Sequence, residues 1–547
     1  MFFILDTAKR LGFSDIMNDI KPLSPQGQTI KDSIEPFLPG QKKEFKRSNQ
    51  RLRFWMEIID KKDIITELKP LLEKLKSISG ILERLEEGEV LYEGECFEIK
   101  ANLIIARKIQ QYFDENILYK PSIDEPIFSL NPMDKLWKLF NPGGIETERF
   151  YLHDEYDPEL AEIRDKHNQL QQEYRDKRKE VLAALEKRLG RSIPASGEIM
   201  VSKTDQKLVE HLEEREDVHL ERENFSTYFY RWFPGEELEK LQEKIRLLNE
   251  EEKAISQWVL KKLSKKIRKF HDQLVKNQTL LGELDWMLAR TYYALAYNCV
   301  PAELTDDNMI NIKRGRHLLV EKEVHSRGYE YTPIDLKLEN GVTVITGSNM
   351  GGKTVNLRMS GLLVAMAQHG LCVPADKMII NLREFIYFSV EDDQTKGDLS
   401  TFGQEIVGLN RALTLKDKKG LYLIDELARG TNPKEGGALG KAIIRYLLDS
   451  PAMTILTTHF STLTEVEGVR HLRVKGLDRN QYEYIWEVYN QKEGTVSLEI
   501  INLLMDYYLI EVDSETEMAR DAVRVASLLG LPEQIIEQAN LELDYQK

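Results

Sequence analysis

Cysteine is nearly absent from this sequence: Cys96, Cys299 and Cys372 are the three in 547 residues, and they stand far apart. They form neither the close pairs of a zinc site nor a disulfide framework, and a reducing cytoplasm fits that usage. Long apolar runs are missing as well. None approaches the roughly 20 residues of a membrane-spanning helix, so no membrane role is expected. The apolar start, Met1-Phe2-Phe3-Ile4-Leu5, is interrupted by Asp6 and is too short for a signal peptide. Positive charge is in deficit, with 76 Lys plus Arg against 91 Asp plus Glu and a net charge of −15. That balance argues against a broad surface for coating nucleic acid, although a local basic patch can sit within an acidic total. The length allows about three or four domains with a large core.

What is present is a glycine loop in the right company. Gly347-Ser348-Asn349-Met350-Gly351-Gly352-Lys353-Thr354 fits the pattern GxxxxGK[ST]. An apolar run, Val342 to Ile345, precedes it, and an amphipathic run from Val355 to Gln368 follows. Strand, glycine loop and helix together are the setting that lets backbone N–H groups crowd around phosphates at a helix N-terminus. Lys353 is expected to reach the β- and γ-phosphates of ATP, and the Thr354 hydroxyl to ligate Mg²⁺. The plainer alternative is a chance glycine turn before a helix.

Along the chain, residues 1 to about 150 read as helices. Ser24-Pro25-Gln26-Gly27 opens one, Pro36 to Gly40 breaks it, and Ile64 to Leu85 carries apolar residues at helical spacing, with Pro70 as a kink or division. Asn141-Pro142-Gly143-Gly144 marks a loop. Two charged segments follow with three-four apolar spacing: Leu160, Ile163, Leu170, Tyr174, Val181 and Leu185, then Leu238, Leu241, Ile245, Leu248, Ile255, Val259 and Phe270. They read as arms of an antiparallel coiled coil, the charged residues forming a solvated face. Between them, about 190 to 235, aromatic and alternating residues predict a small, partly β tip. The second arm runs on through Leu281, Leu284 and Leu288. From about 310 the texture is α/β, with strands expected at Val342–Ile345, Phe385–Val390, Leu421–Ile424, Thr454–Leu456, Leu472–Lys475 and Tyr482–Tyr489. A hairpin turn is expected near Asp478-Arg479-Asn480, and a helical tail with Gly530-Leu531-Pro532 closes the chain.

Three further stretches carry chemistry. Leu421-Tyr422-Leu423-Ile424 is a buried-strand run ending in Asp425-Glu426. In a nucleotide hydrolase the first carboxylate holds Mg²⁺ and the second polarises the attacking water; otherwise the pair is a cap for the helix after Pro433. His459 follows the strand Thr454–Leu456 and can sense the γ-phosphate or hold the water, although a lone histidine is more often structural. Thr401 can cap a helix with Gln404 closing a capping box. A functional reading instead aims that helix N-terminus at a phosphate in another subunit.

In this order, the motifs resemble the MutS family of DNA-repair ATPases. Thr346 to Thr354 looks like that family's phosphate loop, Cys372-Val373-Pro374-Ala375 like its following strand, and Ser400-Thr401-Phe402 like its signature loop. Asp425 to Thr431 resembles its Asp-Glu strand and turn; Thr458-His459-Phe460 and Leu529-Gly530-Leu531-Pro532 fit too. Pro158 to Arg164 resembles the start of its lever helix. The resemblance covers most of the chain from about residue 10 and is most specific over 341–465.

It implies a mixed fold: an all-α core over 1–150, coiled-coil lever helices over 151–300 with a clamp-like tip, and a P-loop ATPase and dimerisation domain over 301–547. It implies a homodimer hydrolysing ATP with Mg²⁺. Lys353, the glycine loop and Ser400 in trans would bind ATP, Thr354 and Asp425 would hold the metal, and Glu426 and His459 would be catalytic. DNA gripped by the clamp is the family default. Mismatch readers of the family carry N-terminal α/β domains and a Phe-x-Glu wedge; here Phe113-Asp114-Glu115 lies in a helical context, so a short form without reader domains or a nuclease tail is expected. Pro433-Lys434-Glu435-Gly436 resembles a smaller branch, in which MutS-like ATPases reactivate cobalamin-dependent lysine or ornithine aminomutases, giving a protein client as the alternative.

Overall fold

The computed structural model describes residues 2–61, 64–116, 128–144, 147–194, 196–233, 235–348, 352–389, 401–428, 432–477, 505–512 and 521–545. The chain forms two compact units, Lys74–Leu281 and a second made of Met1–Glu73 with Gly282–Lys547. Compactness thus divides the chain elsewhere than at the expected cuts near 150 and 300. The fold is mixed α/β.

In the unit of residues 74–281, two 32-residue helices, Pro158–Leu189 and Glu236–Ile267, run antiparallel. Arg164 meets Glu252 at 2.8 Å, and further along Lys177 meets Glu237 at 3.4 Å. The first helix starts where Asp157 accepts from the Glu159 amide and Pro158 takes the first helical position, and it ends at Gly190 with φ 61°. Leu160, Ile163, Leu185, Leu238, Leu241 and Val259 are buried, whereas Leu170, Tyr174, Val181 and Leu248 along the middle are half-buried. Two helices have only each other to pack on there, so the seam stays open at its sides. Residues 190–235 form a three-stranded antiparallel sheet of β1 (Glu198–Ser202), β2 (Val218–Glu223) and β3 (Thr227–Trp232), in the order β1-β3-β2. The helix Gln206–Glu213 accompanies it, and Val201, Leu212, Val218, Tyr230 and Trp232 form its core. Phe113 lies buried inside the helix Glu93–Asn116, a place for packing rather than for a wedge.

The other unit carries two sheets. The smaller joins β4 (Glu303–Leu304), β5 (Ile310–Gly315), β6 (Ile334–Leu338) and β8 (Lys377–Ile380) in the order β4-β8-β5-β6. The larger joins β7 (Gly341–Thr346), β9 (Phe385–Ser389), β10 (Gly420–Ile424), β11 (Met453–Thr457), β12 (Arg470–Leu477) and β13 (Met505–Glu511) in the order β13-β12-β7-β11-β10-β9. All its pairings are parallel except β12–β13. Every residue of β9, β10 and β11 is buried, as strands covered on both faces require. Five expected strands coincide with β7, β9, β10, β11 and β12; Tyr482–Tyr489 and the turn at Asp478 to Asn480 lie outside the described residues. Cys372–Ala375 is not a strand: it makes one bridge, Val300 to Val373, and the chain bends before β8. Pro374 has no N–H with which to extend a ladder. Pro70 lies inside the helix Ile64–Leu72, and the break follows it, before the helix Ser79–Glu87.

The helix after the glycine loop, Lys353–Gln368, differs from its amphipathic expectation. Thirteen of its sixteen residues are buried, because it is enclosed on nearly all sides. The apolar start of the chain also has a structural role. Ile4 N donates to Ile386 O at 3.0 Å and Ile386 N to Phe2 O at 2.8 Å, which covers the β9 edge of the large sheet. Among the described residues, no helix is long and apolar enough to cross a membrane.

Candidate active site

The C-terminal ends of β7, β10 and β11 lie side by side in the parallel part of the large sheet, the usual place for ligands in open α/β folds. Each strand delivers one of the motifs singled out from sequence. Gly347 and Ser348 follow β7, and Gly352 precedes the helix that begins at Lys353. Gly347 has φ 138° and Gly352 has φ 75°, conformations that favour glycine. Asn349, Met350 and Gly351 lie outside the described residues. Lys353 is buried, and its Nζ donates to Gly347 O at 2.8 Å and Ser348 O at 3.1 Å. The ammonium is therefore held against the two carbonyls that open its own loop.

Asp425 follows β10 and ties the three strands together. Thr354 Oγ1 donates to Asp425 Oδ2 at 2.7 Å, and Thr457 Oγ1, from the end of β11, donates to Asp425 Oδ1 at 2.5 Å. Thr457 Oγ1 also accepts from the Glu426 amide at 2.9 Å, so one hydroxyl orients both acids. Glu426 has φ 49° and Ala428 has φ 61°. Non-glycine residues in this region are strained and concentrate at functional corners. The turn carries the Glu426 carboxylate to His459, whose Nε2 lies 2.8 Å from Glu426 Oε1. His459 is the more exposed of the pair, at 40% against 18% for the Glu426 side chain.

The fold thus brings Gly347, Ser348, Gly352, Lys353, Thr354, Asp425, Glu426 and His459 to one end of one sheet. Ser400 lies outside the described residues; the helix Thr401–Leu413 begins just after it, and Glu405 accepts from the Ala428 amide at 3.2 Å. The oxygen atoms of Thr354 and Asp425 are hard donors, suited to a cation such as Mg²⁺ that keeps much of its water. Among the described residues, no cluster of three or more His, Cys, Asp or Glu forms a metal cage.

Sequence reasoning passed over Thr457. Its signal was modest, a hydroxyl at the end of a buried strand two residues before His459. His471 carries no such local signal, yet it reaches the entrance of the glycine loop. His471 Nε2 lies 2.8 Å from Thr346 Oγ1, and burial, with help from Arg473, holds its pKa below the ordinary histidine value.

Comparison with known proteins agrees with this geometry. Residues 343–545 match MutS domain V. Over 500 residues the chain is 28% identical to the DNA mismatch repair protein MutS of Aquifex pyrophilus, covering 88% of this chain and 54% of that protein. It is 26% identical over 477 residues to endonuclease MutS2 of Caldanaerobacter subterraneus subsp. tengcongensis, covering 85% and 56%. A shorter match, 37% identical over 223 residues, is to endonuclease MutS2 of Acetivibrio thermocellus, covering 40% and 27%. The chain thus spans about half the length, or less, of these curated relatives.

Proposed function

This chain belongs to the MutS family, and on that premise we propose that it binds ATP at the loop Gly347–Thr354 and hydrolyses it to ADP and phosphate. The observation that carries the reading is the arrangement of the two acids: Asp425 sits between the Thr354 and Thr457 hydroxyls while Glu426 turns away to His459. On binding, Lys353 exchanges the Gly347 and Ser348 carbonyls for phosphate oxygens. Glu426 accepts the proton of a water as its oxygen attacks the γ-phosphorus, and the bond to the β-phosphate oxygen breaks. His459 orients the Glu426 carboxylate. Thr354 and Asp425 would hold Mg²⁺, which would supply charge neutralisation.

We read the long helix pair as coiled-coil levers and the β1-β3-β2 sheet as a clamp tip, moved by ATP state in a cytoplasmic homodimer. The dimer reading draws support from the helical tail, where Leu529, Leu531, Ile535, Leu541 and Leu543 are exposed, a series that an assembly surface would cover. The names of the relatives make DNA the first candidate for the clamp, as a mismatch-repair or recombination-type structure. A specific observation favours a protein client instead, as in an aminomutase reactivase. Four of the basic side chains at the tip are already paired: Lys203 with Glu223, Arg215 with Asp217, Arg222 with Glu198 and Arg231 with Glu221. Across 190–235, six Lys and Arg face nine Asp and Glu.

Two measurements test the reading. Lys353→Ala should abolish binding of a fluorescent ATP analogue with Mg²⁺; retained binding would remove the loop from its role. DNA affinity, measured on linear and branched duplexes at two salt concentrations, must fall steeply with salt if phosphates are neutralised. No binding at low salt, with ATP or without, would leave the protein client as the surviving reading.

A further inference from the structure

The phosphate loop does not stand on β7 alone. The antiparallel ribbon of β12 and β13 lies beside β7 in the sheet and touches the loop at three separate points. At its entrance, Thr346 Oγ1 and His471 Nε2 are 2.8 Å apart. At Gly347, a methyl in place of the α-hydrogen would sit 3.2 Å from Val474 Cβ. At Gly352, just before the helix, such a methyl would sit 3.2 Å from Tyr507 Cδ1. His471 and Val474 belong to β12 and Tyr507 to β13, so both ends of the loop rest on one two-stranded element. The ribbon is anchored in turn: Gly476 lies so close to Asp521, at the start of the helix Asp521–Leu528, that a methyl there would clash with its carboxylate.

We propose that Tyr507 is a positioning residue for the nucleotide site: its ring backs Gly352 and holds the loop's last glycine in the left-handed conformation from which the helix Lys353–Gln368 starts. The physical reason is preorganisation. Phosphate binding at a helix N-terminus needs the free N–H groups already converged, and a glycine without a side chain has many other conformations open to it. A flat ring against its α-carbon removes some of them before ligand arrives. The ring does this and not the hydroxyl, since the atoms nearest a methyl placed at Gly352 are the ring carbons Cδ1 and Cε1; burial also raises the phenol pKa above its usual value, so Tyr507 stays uncharged. The ligand consequence rests on the ATP-site reading above; the contact itself does not.

The test uses the full chain with Tyr507→Phe, Tyr507→Leu and Tyr507→Ala. Two quantities are read: backbone amide exchange over 346–354 without nucleotide, and KM against kcat for ATP. Tyr507→Ala should speed exchange in the loop while β9 and β10 exchange as in the wild type. It should raise KM roughly tenfold and leave kcat within about threefold, because misplaced binding groups cost affinity before chemistry. Tyr507→Phe should match the wild type in both. If Tyr507→Ala does not fold, Tyr507→Leu, which keeps bulk but not flatness, should show the same pattern at smaller size. Unchanged loop exchange in Tyr507→Ala, or in Tyr507→Leu where that substitute is needed, overturns the proposal, as does a Phe variant no better than Ala. If the wild type itself neither binds nor hydrolyses ATP, the nucleotide reading has failed, and loop exchange still decides whether the ribbon holds the loop.

Discussion

His459 Nε2 lies 2.8 Å from Glu426 Oε1, joining the turn after β10 to the turn after β11. The contact is made possible by the positive φ of Glu426, 49°, which swings its side chain away from Asp425. Two neighbouring acids are thereby separated into different surroundings, one between hydroxyls and one beside an imidazole.

That separation predicts distinct variant behaviour. Glu426→Gln keeps the shape but removes the carboxylate proposed as base, so turnover should fall by about a hundredfold or more while affinity for ATP stays within a few fold. His459→Ala should lower turnover less, roughly tenfold, since it loosens the carboxylate without removing it. Single-turnover hydrolysis alongside equilibrium binding measures both. Full hydrolysis by the Gln variant would remove Glu426 from its assigned role.

Thr457 supports both acids through one oxygen, donating to Asp425 and accepting from the Glu426 amide. Thr457→Val keeps the volume and loses both bonds, leaving a part-buried amide and carboxylate oxygen short of a partner. Stability should drop by about 1–3 kcal/mol and turnover by roughly tenfold or more. Thr457→Ser should recover most of each. Urea unfolding and steady-state kinetics read the two effects, and a Val variant with normal turnover would show that Asp425 is held well enough by Thr354 alone.

A shared site between two chains predicts complementation. Lys353→Ala and Ser400→Trp should each be poorly active alone, and the mixture should regain activity at sites that pair an intact loop with an intact Ser400. The reason is that a helix N-terminus facing the γ-phosphate across a dimer supplies free N–H groups and the helix dipole. A mixture as inactive as its parts, although mixed dimers form, would leave Ser400 and Thr401 as a plain helix cap.

Two buried histidines predict a pH dependence. His317 Nε2 lies 3.2 Å from Leu11 O, and His369 Nδ1 lies 2.7 Å from Ala365 O among the rings of Phe2, Phe3 and Phe13. Burial pushes the pKa of each down to about 4. With folded values below the unfolded one of about 6.5, the unfolded chain binds more protons between about pH 4 and 6.5. Stability therefore rises with pH through that window and is fully present above it. Thermal unfolding from pH 7 to pH 5 should show a falling midpoint, with up to roughly 3 kcal/mol per histidine at stake over the whole window. His369→Phe should flatten the slope; an unchanged slope would place the effect elsewhere.

What was legible in the sequence was local in its cause. A glycine loop between an apolar run and a helix, an Asp-Glu pair after a buried strand and a histidine after another can each be read within a dozen residues, because sterics and burial act at that range. The end of the first long helix at Gly190 went unread, although its cause is local too. The tertiary structure decided what depends on chain ends meeting from far apart. It set Phe2 and Ile4 on the edge of β9, gathered β4, β5, β6 and β8 into a second sheet, and surrounded the helix Lys353–Gln368 so closely that its expected polar face is buried. It placed Thr457 between two acids and Tyr507 against Gly352, a contact that joins residues 155 positions apart. No periodicity records such a contact, since a side chain's partner across a sheet is chosen by strand order, and strand order follows from packing the whole domain rather than from any one segment.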